Sequence, residues 1–294
     1  MNSWTLIHST LAFFALAMSI TSLWAKRSSW IWGSFLVLAF ALAYLAKIIS
    51  PIALVPIGTL LVLHTLLKGD IRGLARFVLV VITFVISLGL LVHKFPGFDN
   101  IPILQKVQIS PGAYPFNLWL NFDKPFVGLF VLALGFPLVA TLRDFSKLMR
   151  SAIPLALGGI AIMIVLALYF GQVRFDPKLP KIFWFFAIEN LIFVSIIEEA
   201  FWRGFVQKEF FRWFGEKGIV ASTASVLITA LLFTALHYFW VPSLPFLLLV
   251  FVASVIYGSI YQFTRALEAS ILCHWLFNIT HFLLFTYPGL SSSS

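Results

Sequence analysis

The chain has 294 residues, of which 61% are hydrophobic and only 11% charged, with a mean hydropathy of +1.01; a soluble domain is about 45–50% apolar and about 25% charged. That composition excludes a soluble globular domain and predicts an all-α, polytopic integral membrane helical bundle. The net charge of +9 does not point to nucleic acid, because the lysines and arginines sit mostly in short loops between apolar runs, where they set membrane orientation.

In chain order, apolar windows long enough to cross about 30 Å of hydrocarbon recur at 4–24, 29–46, 50–67, 76–93, 126–142, 152–170, 181–201, 219–239, 244–263 and 268–287, which predicts about ten transmembrane helices. Helices are expected throughout, since lipid offers the backbone no partners and the alternation of a barrel is absent. The first run, Ser3 to Ala25, has no basic residue ahead of it and is read as retained rather than cleaved. Region 1–177 holds about six spans and a long connection, 94–125, with five prolines. Its aromatic content predicts an interfacial loop, with a lid or docking role as the alternative. Gly218 to Thr264 carries no Asp, Glu, Lys or Arg and is too long for one crossing, so it is divided at Pro242 and Pro245. Residues 288–294 are expected to form a disordered tail. With the N-terminus outside, 13 lysines and arginines fall on the cytoplasmic side and 7 on the other, which predicts both termini outside. A single cysteine, Cys273, excludes an intrachain disulfide and a cysteine-only metal site.

Charge at membrane depth is expensive, so ionisable groups inside apolar segments are functional candidates. They concentrate in the last third: Glu198-Glu199 with Arg203, then Phe233-x-x-x-His237, then His274-x-x-x-Asn278. On an α-helix Glu199 and Arg203 are i and i+4 and share a face, while Glu198 lies about 100° round the axis. The arginine can then hold Glu199 charged and leave Glu198 to face a cavity as general base. His237 and His274 add tunable imidazoles, and Asn278 sits one turn beyond His274. A base, a second proton handler and two donors suffice for water-mediated amide hydrolysis.

Blander readings stand beside these. A Glu–Arg pair near a helix end also serves as a structural clasp, and Phe233 reads as packing that fixes the His237 helix. His64, His93 and His281 read as interface histidines. Glu189 and Asn190 either line a cavity or clasp a neighbouring helix. Cys273 adjoins His274, but neighbours on a helix point apart, so the pair is not read as a nucleophile and its base. A different class of function, a proton-coupled transporter using the Glu/His cluster, predicts polar groups strung across the bilayer; these instead gather toward one end of their segments.

The three motifs in this order, each in or beside an apolar segment, resemble the CPBP family of CAAX proteases and bacteriocin-processing enzymes, also called Abi, over residues 178–287. The resemblance implies an intramembrane glutamic endopeptidase, in the likeness of a bacterial member, in the cytoplasmic (inner) membrane; the basic-residue count puts its active site toward the cytoplasm. Its substrate would be a membrane-anchored protein or peptide, with the lipid bilayer as its other partner. Carried over by position, Glu198 with His237 would activate water, His274 and Asn278 would stabilise the oxyanion, and Glu199, Arg203 and Phe233 would support them. No cofactor is expected. The alternative is zinc on Glu198, His237 and His274 with water in the fourth position.

Overall fold

The computed structural model describes residues 3–25, 29–238 and 243–291. Lys26, Arg27, Pro242 and Ser292 to Ser294, on which parts of the orientation count, the helix break and the tail rest, lie outside the described residues. The chain forms two compact units: Met1–Ile101, Trp119–Ala140 and Ile192–Phe201 make the first, and Pro102–Leu118, Thr141–Leu191 and Trp202–Ser294 the second. The architecture is all-α and polytopic. Among the described residues seven helical segments are long and apolar enough to cross a membrane: Ser3–Ala25, Pro51–Lys68, Gly73–Leu91, Leu142–Tyr169, Gly218–His237, Leu244–Thr264 and Leu267–Leu284. A shorter apolar helix, Trp30–Leu45, accompanies them.

In the first unit α1 (Ser3–Thr21) packs on α2 (Ser29–Leu45), and α3 (Leu54–Lys68) on α4 (Gly73–Leu91). The expected span at 126–142 is corrected to a half-length helix, α5 (Pro125–Ala133), of 9 residues. At about 1.5 Å per residue it covers about 14 Å, roughly half the hydrocarbon thickness. Every residue from Pro125 to Leu132 is buried, as a non-spanning segment in a membrane protein requires. Aromatic rings fix it: Phe40 of α2 stacks on Phe126 at 5.3 Å, and Phe122 meets Phe126 edge-on at 5.7 Å. Apolarity alone made 126–142 look like a crossing, because a fully buried half-helix and a lipid-facing helix share one composition.

The second unit is built from α6 (Leu142–Tyr169), α7 (Phe183–Glu189), α9 (Lys208–Trp213), α10 (Gly218–His237), α11 (Leu244–Thr264) and α12 (Leu267–Leu284). The remaining helix, α8 (Ile196–Glu199), belongs to the first unit. A seam of small residues, Ala152 and Ala156 of α6, Ala253 of α11 and Ala269 of α12, brings three helices close, the packing that membrane bundles use where the hydrophobic effect is silent. Cys273 is buried in the same seam, a packing position.

The 94–125 connection is more ordered than an interfacial loop: β1 (Ile101–Val107) and β2 (Phe116–Leu120) pair into a two-stranded sheet. Phe116 and Leu118 are buried while Asn117 and Trp119 are exposed, a period-2 alternation short enough to escape a search for spans. The hairpin's turn also holds the C-terminal residues. Tyr114 N donates to the Gly289 carbonyl (3.0 Å) and Ser291 N to the Gly112 carbonyl (2.9 Å). Gly289 and Ser291, inside the segment expected as a disordered tail, are therefore held by backbone hydrogen bonds.

Candidate active site

The helix that carries the first motif runs without a break from Phe183 to Trp213, entering the first unit at Ile192 and leaving it after Phe201. It is not a uniform α-helix. Asn190–Ser195 and Ala200–Gln207 are π-helical and flank the single α-turn Ile196–Glu199. Such widened turns recur at functional sites, and the i, i+4 argument for Glu199 and Arg203, made on α geometry, applies only loosely across the second of them.

Glu198 and Glu199 lie in the first unit, 8% and 0% exposed. The Lys124 ammonium stands 2.6 Å from Glu198 Oε1, with the two side chains 13% and 10% exposed. Lys124 is the N-cap residue of α5, and its own amide donates to Asp123 Oδ1 at 2.9 Å. Asp123 also pairs with His93 Nδ1 at 2.7 Å and accepts from Asn100 Nδ2 at 3.2 Å. One turn along α5, Gly128 lets the helix approach α8 so closely that a Cβ there would stand 2.7 Å from the Ile197 Cα and carbonyl oxygen.

Arg203, Phe233, His237, His274 and Asn278 lie in the second unit, where Arg203 joins three helices. Its guanidinium is fully buried between two rings, 5.4 Å from the Phe233 centroid on α10 and 5.5 Å from Tyr257 on α11. Nη2 donates to both the carbonyl and the hydroxyl of Ser254, each at 3.0 Å. The planar cation thus uses its faces and its edge together, which a lysine cannot do. Tyr257 in turn stacks on His274 of α12 (4.8 Å, 13°), so the arginine that closes the first motif is one ring away from the third. Phe233, expected as simple packing, is the other face of that cation–π sandwich.

His237 donates from Nδ1 to the Phe233 carbonyl at 2.8 Å. A carbonyl can only accept, so the neutral ring carries its proton on Nδ1 and its acceptor lone pair on Nε2, as a proton-accepting imidazole requires. Asn278 Nδ2 donates to Asn190 Oδ1 at 3.1 Å. That contact ties Asn190 to α12 and orients the Asn278 amide, which has a second N–H to offer.

Lys124, Asp123, Ser254 and Tyr257 are side chains at these sites that motif reasoning missed. Lys124 had been counted as an outer-loop charge; its burial removes it from that tally, and the burial of Arg203 removes one from the other side. Among the described residues no three His, Cys, Asp or Glu side chains gather into a set able to hold a metal ion.

Residues 180–280 match the family described as type II CAAX prenyl endopeptidase Rce1-like. No curated protein and no solved structure matches the chain. The matched segment contains all seven motif positions, from Glu198 to Asn278, on the helix 183–213 and on α10 and α12. Over residues 180–280, then, the chain is similar to the CAAX prenyl endopeptidase family, whose members are peptide hydrolases.

Proposed function

We propose that this chain is an intramembrane endopeptidase that cuts a membrane-anchored protein or peptide near its terminus by a glutamate- and histidine-activated water. The observation that carries the reading is the family match, with every motif position occupied, joined to the Arg203 sandwich that couples the helices of all three motifs. Glu198 takes a proton from the attacking water while His237 Nε2 accepts its second hydrogen bond. His274 and Asn278 donate to the oxyanion that forms on the scissile carbonyl. The proton held by Glu198 passes to the leaving amine as the C–N bond breaks, which returns the carboxylate. Glu199 and Arg203 orient the helix that presents the base, with Phe233 supporting the guanidinium.

The proposed mechanism is metal-free. Glu198 Oε1 already faces a lysine ammonium at 2.6 Å, a cation where a zinc reading would need an open ligand. Activity that survives a strong chelator, in protein shown by elemental analysis to be zinc-free, supports this; loss restored by zinc reverses it. We further place the protein in a bacterial cytoplasmic membrane; the count of 13 basic residues against 7 took 126–142 as a crossing, and with α5 a half-length helix it no longer decides which face the site lies toward. Glu198→Gln tests the function as a whole. It should abolish proteolysis; if it instead alters only the pH dependence of solute uptake, the chain is a transporter.

A further inference from the structure

Lys124 lies outside the matched domain, in a connection that the motifs do not reach, yet its ammonium meets the first motif. Burying a lysine is costly unless the charge is paired, and three separate features hold this one in place. Its backbone N–H is fixed by Asp123, which His93 and Asn100 clamp in turn. Pro125 opens α5 immediately after it, where a fixed φ suits the first helical position. Gly128 seats α5 directly on the backbone of Ile197, the residue before Glu198. A lysine present only to set topology would lie in water, whereas this side chain is 13% exposed.

We propose that Lys124 is a positioning residue for the Glu198 carboxylate: it fixes Oε1 and balances the charge. The inference rests on Glu198 as the base. Within the first unit, α5 is the element packed against α8 and carries no other titratable side chain. On Glu198's own helix the nearest charged residues are Glu199 and Arg203, and behind Lys124 stand Asp123 and His93. The end of the connection 94–125 thus delivers a counter-charge to Glu198.

The test uses the purified full-length chain in detergent micelles. Infrared difference spectra are recorded across pH, and Glu198→Gln, measured alongside, isolates the Glu198 carboxyl signal. In Lys124→Met the protonated-acid band should appear at a pH higher by about 1–3 units, the effect of removing an adjacent opposite charge. Lys124→Arg should keep the wild-type titration. Asp123→Asn, which loosens the lysine without deleting it, should move the band the same way by less, and it serves if Lys124→Met does not fold. The acid limb of proteolysis should move in step, measured on the protein whose new terminus disappears in Glu198→Ala. An unmoved infrared titration in folded Lys124→Met overturns the proposal, as does activity lowered equally at all pH and not rescued by arginine. If Glu198→Ala removes no terminus, the protease reading fails on its own, and the infrared titration still decides whether Lys124 governs this carboxylate.

Discussion

Replacing Gly128 with alanine tests whether the α5–α8 contact is as tight as it must be to present Lys124. The added Cβ would lie 2.7 Å from two backbone atoms of Ile197, so no flexible side chain can yield. Restoring ordinary carbon contact requires the helices to separate by about 0.7 Å or more. Overpacking of this kind costs about 1–3 kcal/mol, against which alanine's higher helix propensity returns about 1 kcal/mol. Gly158, in the middle of α6, supplies the control, because a Cβ there meets nothing within 4 Å. Gly158→Ala therefore keeps the propensity gain without the clash, and the two variants should differ by about 1–3 kcal/mol. Thermal unfolding of the full-length protein in detergent, followed by tryptophan fluorescence, should read this as a Tm lower in Gly128→Ala by several degrees, at about 2–4 °C per kcal/mol. Equal Tm values, or a more stable Gly128→Ala, would refute the close approach.

Arg203→Lys should cost about 2–4 kcal/mol by thermal unfolding, since it loses a planar cation between two rings and leaves the Ser254 acceptors underused; a neutral result would mean the sandwich does not hold the helices. Asn278→Ala should retain residual turnover, because loss of one oxyanion donor costs about 10²–10³ in kcat. Asn190→Ala, which frees that amide to rotate, should cost less, and an equal or greater loss would give Asn190 a role of its own. Asp176 has its acidity set by a hydrogen bond with Ser110, reinforced by Lys178, which together hold its pKa below the usual 3.8. A depressed folded value contributes stability that is present above the unfolded pKa and lost as pH falls through the folded one. Asp176→Asn should therefore remove a loss of stability seen below about pH 4, and unchanged acid unfolding would contradict the assignment.

The long spans were legible because one property, sustained hydropathy, decides them. The motifs were legible because a charge inside such a span is too costly to keep unless it pairs or acts. Arg203 was found this way, but its partners were not: Ser254 and Tyr257 are ordinary residues in an apolar helix, 51 and 54 positions away, and only packing brings them to the guanidinium. Lys124 was misread for a physical reason. It sits 74 residues before Glu198, in a segment whose prolines and aromatics suggest a loop, and a lysine in a loop reads as an orientation signal until its burial is known. The half-helix α5 and the hairpin at 101–120 failed for a related cause. Burial by protein and burial by lipid select the same residues, and strands of seven and five residues give too few alternations to stand out. The π segments leave no sequence signature that the spacing argument could have used.

The measurement that bears most directly on the central claim compares membrane-protein termini, by mass spectrometry, between cells carrying this chain and cells carrying Glu198→Ala at equal abundance. A small set of new termini, close to membrane anchors and absent in the variant, is the predicted result. Identical termini in the two, with both proteins folded and membrane-inserted, would contradict proteolysis by Glu198.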